Sequence, residues 1–360
     1  MSKNILIDQT VEVLVHAGFI VSERCDIRPR SFDIAARKDN VMLLCKILQN
    51  IDGLTEESAN EMILLANCLG GTPLMIGEKT RDQPLEDGVV YMRCKIVALN
   101  IQTFFDYFAD DVMPLVSASP GGLYVPIDGT ALKKARLESN MSLGSLAGAI
   151  GVSRRMVSKY EEEGMHASID TVLLLEDVLK VELAKPIDIL NPTAIKKKMD
   201  LSSPRSSPLS SPLSSPLSSP LSSPPSEKEA EAASSIRSKT SAGKETPETA
   251  AEHEMLTYVS ILGYNVKETA HSPFKAISQD EKSTILTGIS KYNPTVIKRA
   301  HLMSSISDVL QTESVFLIDG TSKVKSVEST AFIEKKELVK MSGPEDLIET
   351  IEERKVPEKK

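Results

Sequence analysis

Residues 128–181 read DGTALKKARLESNMSLGSLAGAIGVSRRMVSKYEEEGMHASIDTVLLLEDVLKV, and the spacing of small, polar and apolar residues in them decides the centre of the fold. The pattern predicts four short helices. The first begins at Leu132 and runs to Glu138. Ser142 is placed to cap the second, from Leu143 to Ile150, whose Leu146, Ala147 and Ile150 share one face. Gly151 falls where a tight turn needs a positive φ. Val152 then plugs the space between helices, and Ser153 caps a third helix from Arg154 to Glu162. That helix is expected to turn Met156, Val157 and Tyr160 inward and to present Arg154, Arg155, Ser158 and Lys159 outward. Ser168 opens a fourth helix through Leu179, with Val172, Leu173, Leu175 and Leu179 packing back. The small residues Ala147 and Gly151 let two helices approach at a steep angle across a three-residue turn.

A short third helix with a polar outer face suits the major groove of double-stranded DNA. Ser142 and Ser153 place helix N-termini where phosphates can be held. The Leu132 start, Ser142-Leu143 with Leu146-Ala147, Gly151-Val152-Ser153 and the run Val157-Ser158-x-Tyr160-Glu161 resemble the Cro/XRE family of helix-turn-helix repressors. The resemblance implies that Arg154, Arg155 and Ser158 approach base edges while Ser153 and Lys159 hold phosphates. Leu143 departs from it, since many members carry a DNA-contacting Gln there. The acids Glu161-Glu162-Glu163 just past the recognition helix imply modest, salt-sensitive affinity. One such motif reads a short half-site, so a homodimer is expected. A helical bundle that binds protein through the same surface is the plainer alternative.

Working outward, the 360-residue chain is long enough for two or three units. Its net charge of −8 argues against non-specific coating of nucleic acid, although a local basic surface is compatible with it. Cores must rest on aliphatic residues, because aromatic content is 4% and Trp is absent. Cys25, Cys45, Cys68 and Cys94 form no C-x-x-C pair and read as small hydrophobes in a reducing cytosol rather than as a zinc site. No stretch has the length of a membrane span, and residues 1–8 lack a signal-peptide core, so a cytoplasmic protein is expected, with no cofactor.

Four parts are expected: an α/β unit at 1–118, an all-α helix-turn-helix domain at 128–192, a disordered linker at 193–250 and a second α/β unit at 251–352. The linker reading rests on SSPRSSPLSSPLSSPLSSPLSSPP at 202–225, whose Pro and Ser cannot build a core. As a flexible coil it would span about 40 Å. The first unit reads α-β-β-β-α-β-β-α, and the second reads as a diverged copy of it. Ala17-Gly18-Phe19-Ile20-Val21 matches Leu262-Gly263-Tyr264-Asn265-Val266 at an offset of 245 (262 against 17). Phe32 matches Phe274, Leu43-Leu44 matches Ile285-Leu286, and Leu74-Met75-Ile76 matches Phe316-Leu317-Ile318, all at an offset of 242 (274 against 32). Carried on, that offset sets Val90-Tyr91 on Phe332-Ile333 and Thr103 on Glu345.

Asp33 and Lys46 on successive strands resemble part of the PD-(D/E)xK nuclease pattern, which makes the first unit restriction-endonuclease-like. That chemistry needs two carboxylates for Mg²⁺ and a Lys to polarise water. The second carboxylate position is Leu44, and only migration of Glu12 or Glu23 would replace it. The copy has Lys275 and Gly288 at the positions of Asp33 and Lys46. No catalytic residue is therefore expected, and an inactive scaffold for dimerisation, ligand sensing or DNA contact is the better reading. Arg24, Arg28, Arg30, Arg37 and Lys38 form a basic cluster nearby. The phrases SFDIAARKDNVMLLCKILQNID (31–52) and SPGGLYVPIDG (119–129), with the order of parts, resemble a group of archaeal transcriptional regulators. The resemblance implies sequence-specific DNA binding in transcription regulation, and a nuclease or nuclease-derived protein is the alternative.

Overall fold

The computed structural model describes residues 2–163, 165–191 and 247–355. The stretch read as a linker therefore lies outside the described residues except at its end, where helix begins at Pro247.

The N-terminal unit follows the expected element order with one addition, a third strand at Ile96–Leu99 before the last helix. Helix α1 (Lys3–His16) leads through β1 (Ile20–Val21) and β2 (Ile34–Lys38) to β3 (Val41–Asn50). A short 3-10 turn then precedes α2 (Glu56–Leu69), β4 (Thr72–Lys79), β5 (Val89–Arg93), β6 (Ile96–Leu99) and α3 (Ile101–Ala109). Thr55 Oγ1 accepts the Ser58 N–H at 3.2 Å, and Gly70 ends α2 at a φ of 68°. β3 runs parallel to β4 and antiparallel to β2. Both faces of β3 are covered, which explains its continuous apolar run. Leu43, Cys45 and Ile47 pack with Leu6, Leu14 and Phe104 of α1 and α3, while Leu44 and Ala35 pack with Ala59, Met62 and Leu65 of α2.

The C-terminal unit repeats this topology. Its elements are α8 (Pro247–Ile261), β10 (Asn265–Glu268), β11 (Ala276–Gln279), β12 (Thr284–Ser290), α9 (Pro294–Leu310), β13 (Glu313–Ile318), β14 (Ser326–Val327), β15 (Thr330–Glu334), α10 (Lys335–Leu338) and α11 (Pro344–Arg354). The strand order β10-β11-β12-β13-β15-β14 matches β1-β2-β3-β4-β6-β5. Register supports the first part of the alignment. Val21 pairs with Ala36 as Val266 pairs with Ser278, and Ala35 pairs with Leu44 as Ile277 pairs with Leu286. The later offsets differ. Lys46 pairs with Met75 whereas Gly288 pairs with Phe316, a shift of one residue. Met75 then pairs with Ala98 as Phe316 pairs with Phe332, so β15 corresponds to β6 and Val90-Tyr91 has no match in Phe332-Ile333. The second difference comes from a shorter β14 arm in the copy; after β15 come the short helix α10 and then α11, which contains Glu345 as the offset implies.

The two units share one core. Helices α2 and α9 lie between the sheets, and Phe32, Met62 and Leu65 join Phe274, Ala300 and Met303 in a single apolar cluster. Polar ties seal its edge. Glu61 of α2 is buried and accepts from the backbone N–H of Ala270 at 2.8 Å, from that of His271 at 2.8 Å and from Ser272 Oγ at 2.6 Å. The Ser31 N–H donates to the His271 carbonyl, and the Glu23 N–H donates to Ser305 Oγ at 2.7 Å.

The helix-turn-helix domain is attached through a continuation of the first sheet that the sequence pattern did not reveal. β7 (Val116–Ser119) runs parallel to β5, β8 (Gly122–Pro126) follows it, and β9 (His166–Ser168) closes a nine-stranded sheet. β9 lies between the third and fourth helices of the bundle, so the sheet runs into the domain itself. The segment after the bundle returns to the body: Ile187 N–H donates to the Pro114 carbonyl at 2.8 Å, and Ile187 and Ile189 are buried among α1 and α3 residues.

Candidate nucleic-acid interface and nuclease-like centre

The bundle consists of α4 (Gly129–Glu138), α5 (Leu143–Ala149), α6 (Arg154–Glu163) and α7 (Ile169–Leu179). The first helix starts three residues before Leu132, because Asp128 caps it with bonds from the Thr130 and Ala131 N–H groups at 3.0 and 3.1 Å. Ser142 Oγ accepts the Ser145 N–H at 3.0 Å and Ser153 Oγ the Met156 N–H at 3.2 Å. Both expected caps are therefore formed, and both serines are exposed. Gly151 has φ 69°, as the turn demands. Leu146, Ala147, Ile150, Val157, Tyr160, Val172, Leu175 and Leu179 make the core.

Two residues assigned inward point out instead. Met156 is 37% exposed and Leu173 59% exposed. Each is adjacent to a buried residue, Val157 or Val172, and a helix advances 100° per residue, which sets both at the edge of the buried face.

Of the residues singled out for DNA, Arg154 and Arg155 stand exposed at the start of α6. The Arg154 stem passes along α5, its Cδ lying 3.4 Å from where a Cβ on Gly144 would sit. Ser158 and Lys159 are half-buried, and Ser158 Oγ donates to Glu162 at 3.1 Å. The run of acids is less exposed than its spelling suggests. Glu161 is buried against Arg136 of α4, with Nε–Oε1 and Nη2–Oε2 distances of 2.5 and 3.0 Å, and Arg136 also donates to the Met141 carbonyl at 2.9 Å. A bidentate pair of this kind fixes the angle between helices. The sequence carries a signal for it: Glu161 follows Val157 by four and Tyr160 by one, on the flank of the buried face.

Asp33 is fully buried at the entrance to β2. Its Oδ1 accepts Lys3 Nζ at 3.0 Å and lies 2.9 Å from Arg30 Nη2, while its Oδ2 accepts the Ile47 N–H at 2.8 Å. Lys46 Nζ donates to the Arg30 carbonyl at 2.7 Å rather than pairing across the strands with Asp33. The basic cluster divides: Arg24 and Arg30 gather near Asp33, whereas Arg37 and Lys38 donate to the carbonyls of Asp39 and Ala17. Burial holds both Lys3 and Lys46 below the usual amine range, with the neighbouring Arg30 adding to the depression at each. Cys25 and Cys45 are pushed up to about 11 and about 12 by burial.

A divalent cation does not fit these donors. Both oxygens of Asp33 are occupied, Leu44 stands where a second carboxylate is required, and among the described residues no three His, Cys, Asp or Glu side chains converge.

Comparison with known proteins agrees with both halves of this geometry. Residues 3–114 match the PD-(D/E)XK superfamily domain and residues 132–185 match a helix-turn-helix family. No solved structure matches the chain. Proteins named as HTH-type transcriptional regulatory proteins are similar over nearly their full length. One from Methanosarcina barkeri is 55% identical over 356 residues, one from Methanosarcina acetivorans 53% over 360 and one from Halorubrum lacusprofundi 38% over 358. The alignments cover 98–99% of this chain and 98% of each relative. With that identity and coverage, the chain belongs to this family of archaeal HTH-type transcriptional regulatory proteins.

Proposed function

We propose that the chain is a cytoplasmic, sequence-specific DNA-binding regulator of transcription that reads the major groove with α6 and acts as a homodimer. The observation that carries the reading is the exposed Arg154-Arg155 pair at the start of α6, backed by Val157 and Tyr160 in the core and by the Arg136–Glu161 tie. An arginine at the start of a recognition helix can make bidentate bonds to guanine edges. Ser142 and Ser153 cap the starts of α5 and α6 and are exposed, which supports phosphate contacts at those helix ends. Two copies are needed for a useful site length.

The test is fluorescence anisotropy on a duplex chosen by genome-wide binding-site mapping. Replacing Arg154 and Arg155 with Ala should lower the preference for that duplex over random DNA by about tenfold or more for each bidentate guanine bond removed. Unchanged preference in the double variant would overturn the reading. Light scattering at the concentration of half-binding should give a dimer mass.

Catalysis by the N-terminal unit is the second reading, and the PD-(D/E)XK family match favours it. The ion pairs that occupy Asp33 count against it. Mg²⁺-dependent cleavage of plasmid DNA, lost on Asp33→Ala, would establish it.

A further inference from the structure

The nuclease-like centre holds more positive charge than its carboxylates neutralise. Lys3 and Asn4 arrive from the start of α1, Arg24 and Arg30 from the segment between β1 and β2, and Lys46 from β3. Among the described residues the carboxylates paired with Lys3, Arg24 and Arg30 are Asp33 and Asp26, and Asp26 is largely exposed to solvent. One buried anion, held by Lys3 and Arg30, therefore stands beside four cations. Their donors are far from saturated. Lys3 gives one N–H to Asp33 and Lys46 gives one to the Arg30 carbonyl, and each ammonium has three to give. Arg24 Nε is buried 2.9 Å from Asp26 Oδ1, yet it makes no hydrogen bond there, so a buried guanidinium N–H is left over. The start of a fourteen-residue helix, capped by Ser2, lies at the same place with its positive dipole end. Beyond burial, neighbouring cations depress both lysines: Lys3 and Arg30 act against the charge on Lys46, and Arg30 and Arg24 against that on Lys3. A metal cation would worsen this crowding, whereas an anion relieves it.

We infer that this centre is a metal-independent oxyanion site, taking a phosphate or phosphate monoester on Lys3, Arg24 and Arg30, with Lys46 beneath as fixed charge. The phosphate belongs either to a small phosphorylated effector or to the backbone of bound DNA. The chemistry recognised is the same.

The test is calorimetric titration of the full chain with inorganic phosphate in EDTA at low salt. One phosphate per chain is expected. Arg24→Gln, on the open side of the centre, and Lys3→Met should each weaken binding about tenfold, equivalent to about 1.4 kcal/mol. The R154A/R155A variant should bind phosphate as the unaltered chain does, which separates this site from the reading of α6. Two further arms use that variant. Uptake of a nucleoside monophosphate, weakened by R24Q, assigns a small effector. Binding of a random duplex, weakened by R24Q, assigns the DNA backbone. The inference is overturned if phosphate does not bind, if binding requires Mg²⁺, or if R24Q leaves it unchanged.

Discussion

Where the N-terminal unit carries Lys46, the C-terminal unit carries Gly288, and a Cβ built there would lie 2.7 Å from the ring of Phe316. Where the first has Asp33, buried and facing Lys3 of its leading helix, the second has Lys275, half-exposed and 3.0 Å from Glu252 of its own. The two units keep one strand order and one helix-to-strand ion pair, but the charges are exchanged and the copy has filled its centre with an aromatic ring. The first unit has retained a polar interior at some cost in stability, and the second has become ordinary packing. The difference separates the unit that keeps groups able to meet a ligand from the one that supports it.

The largest effect expected from this contrast comes from Asp33→Ala. It leaves Lys3 and Arg30 without their buried anion and should cost about 3–5 kcal/mol in chemical denaturation, whereas Lys275→Ala should cost under about 1 kcal/mol. Equal costs would erase the distinction. Next, Glu61→Gln keeps the shape of the tie between units but removes its charge from the groups of Ala270, His271 and Ser272 that it holds. We expect a loss of about 1.5–3 kcal/mol, seen as two unfolding transitions in calorimetry where the unaltered chain shows one. Gly288→Ala forces Phe316 to move and should cost about 1–3 kcal/mol, and a change near zero would show that the copy is loosely packed. The smallest effect is on pH dependence. Lys46 titrates below its ordinary value of 10.5 in the folded chain, so the unfolded chain binds more protons between the two values and stability rises with pH in that window. Stability measured as the pH is raised toward 10.5 should therefore rise relative to Lys46→Met, and parallel curves would contradict the burial of its charge.

Much of this was legible because it depends on local rules. Ser142, Gly151, Ser153 and Val157 each declare a cap, a turn or a buried face within a few residues, and the bundle followed. The repeat was legible through β12 because its offset changes only once there, by three residues before β11. It slipped by one residue between β12 and β13 and again where the shorter arm before β15 changes the count without changing the fold. The strands that carry the helix-turn-helix were missed for a different reason. β7, β8 and β9 are three to five residues long, and β9 finds its partner about forty residues away, so composition leaves no trace of the pairing. The candidate centre was half visible. Asp33 and Lys46 stand out by spacing, but Lys3, which neutralises Asp33, lies thirty residues upstream on a helix with no sign of its destination. The burial of Glu161 was readable from its position beside Tyr160 and was obscured by the two acids that follow it.

Because β9 is a strand of the same sheet that begins at β1, the reading head is not on a swivel. In the homodimer proposed above, two such heads could not slide apart to suit a variable target, as tethered modules can. The gap between half-sites would then be set by how the two copies abut, and inserting half a helical turn between the halves of an operator should abolish recognition rather than weaken it.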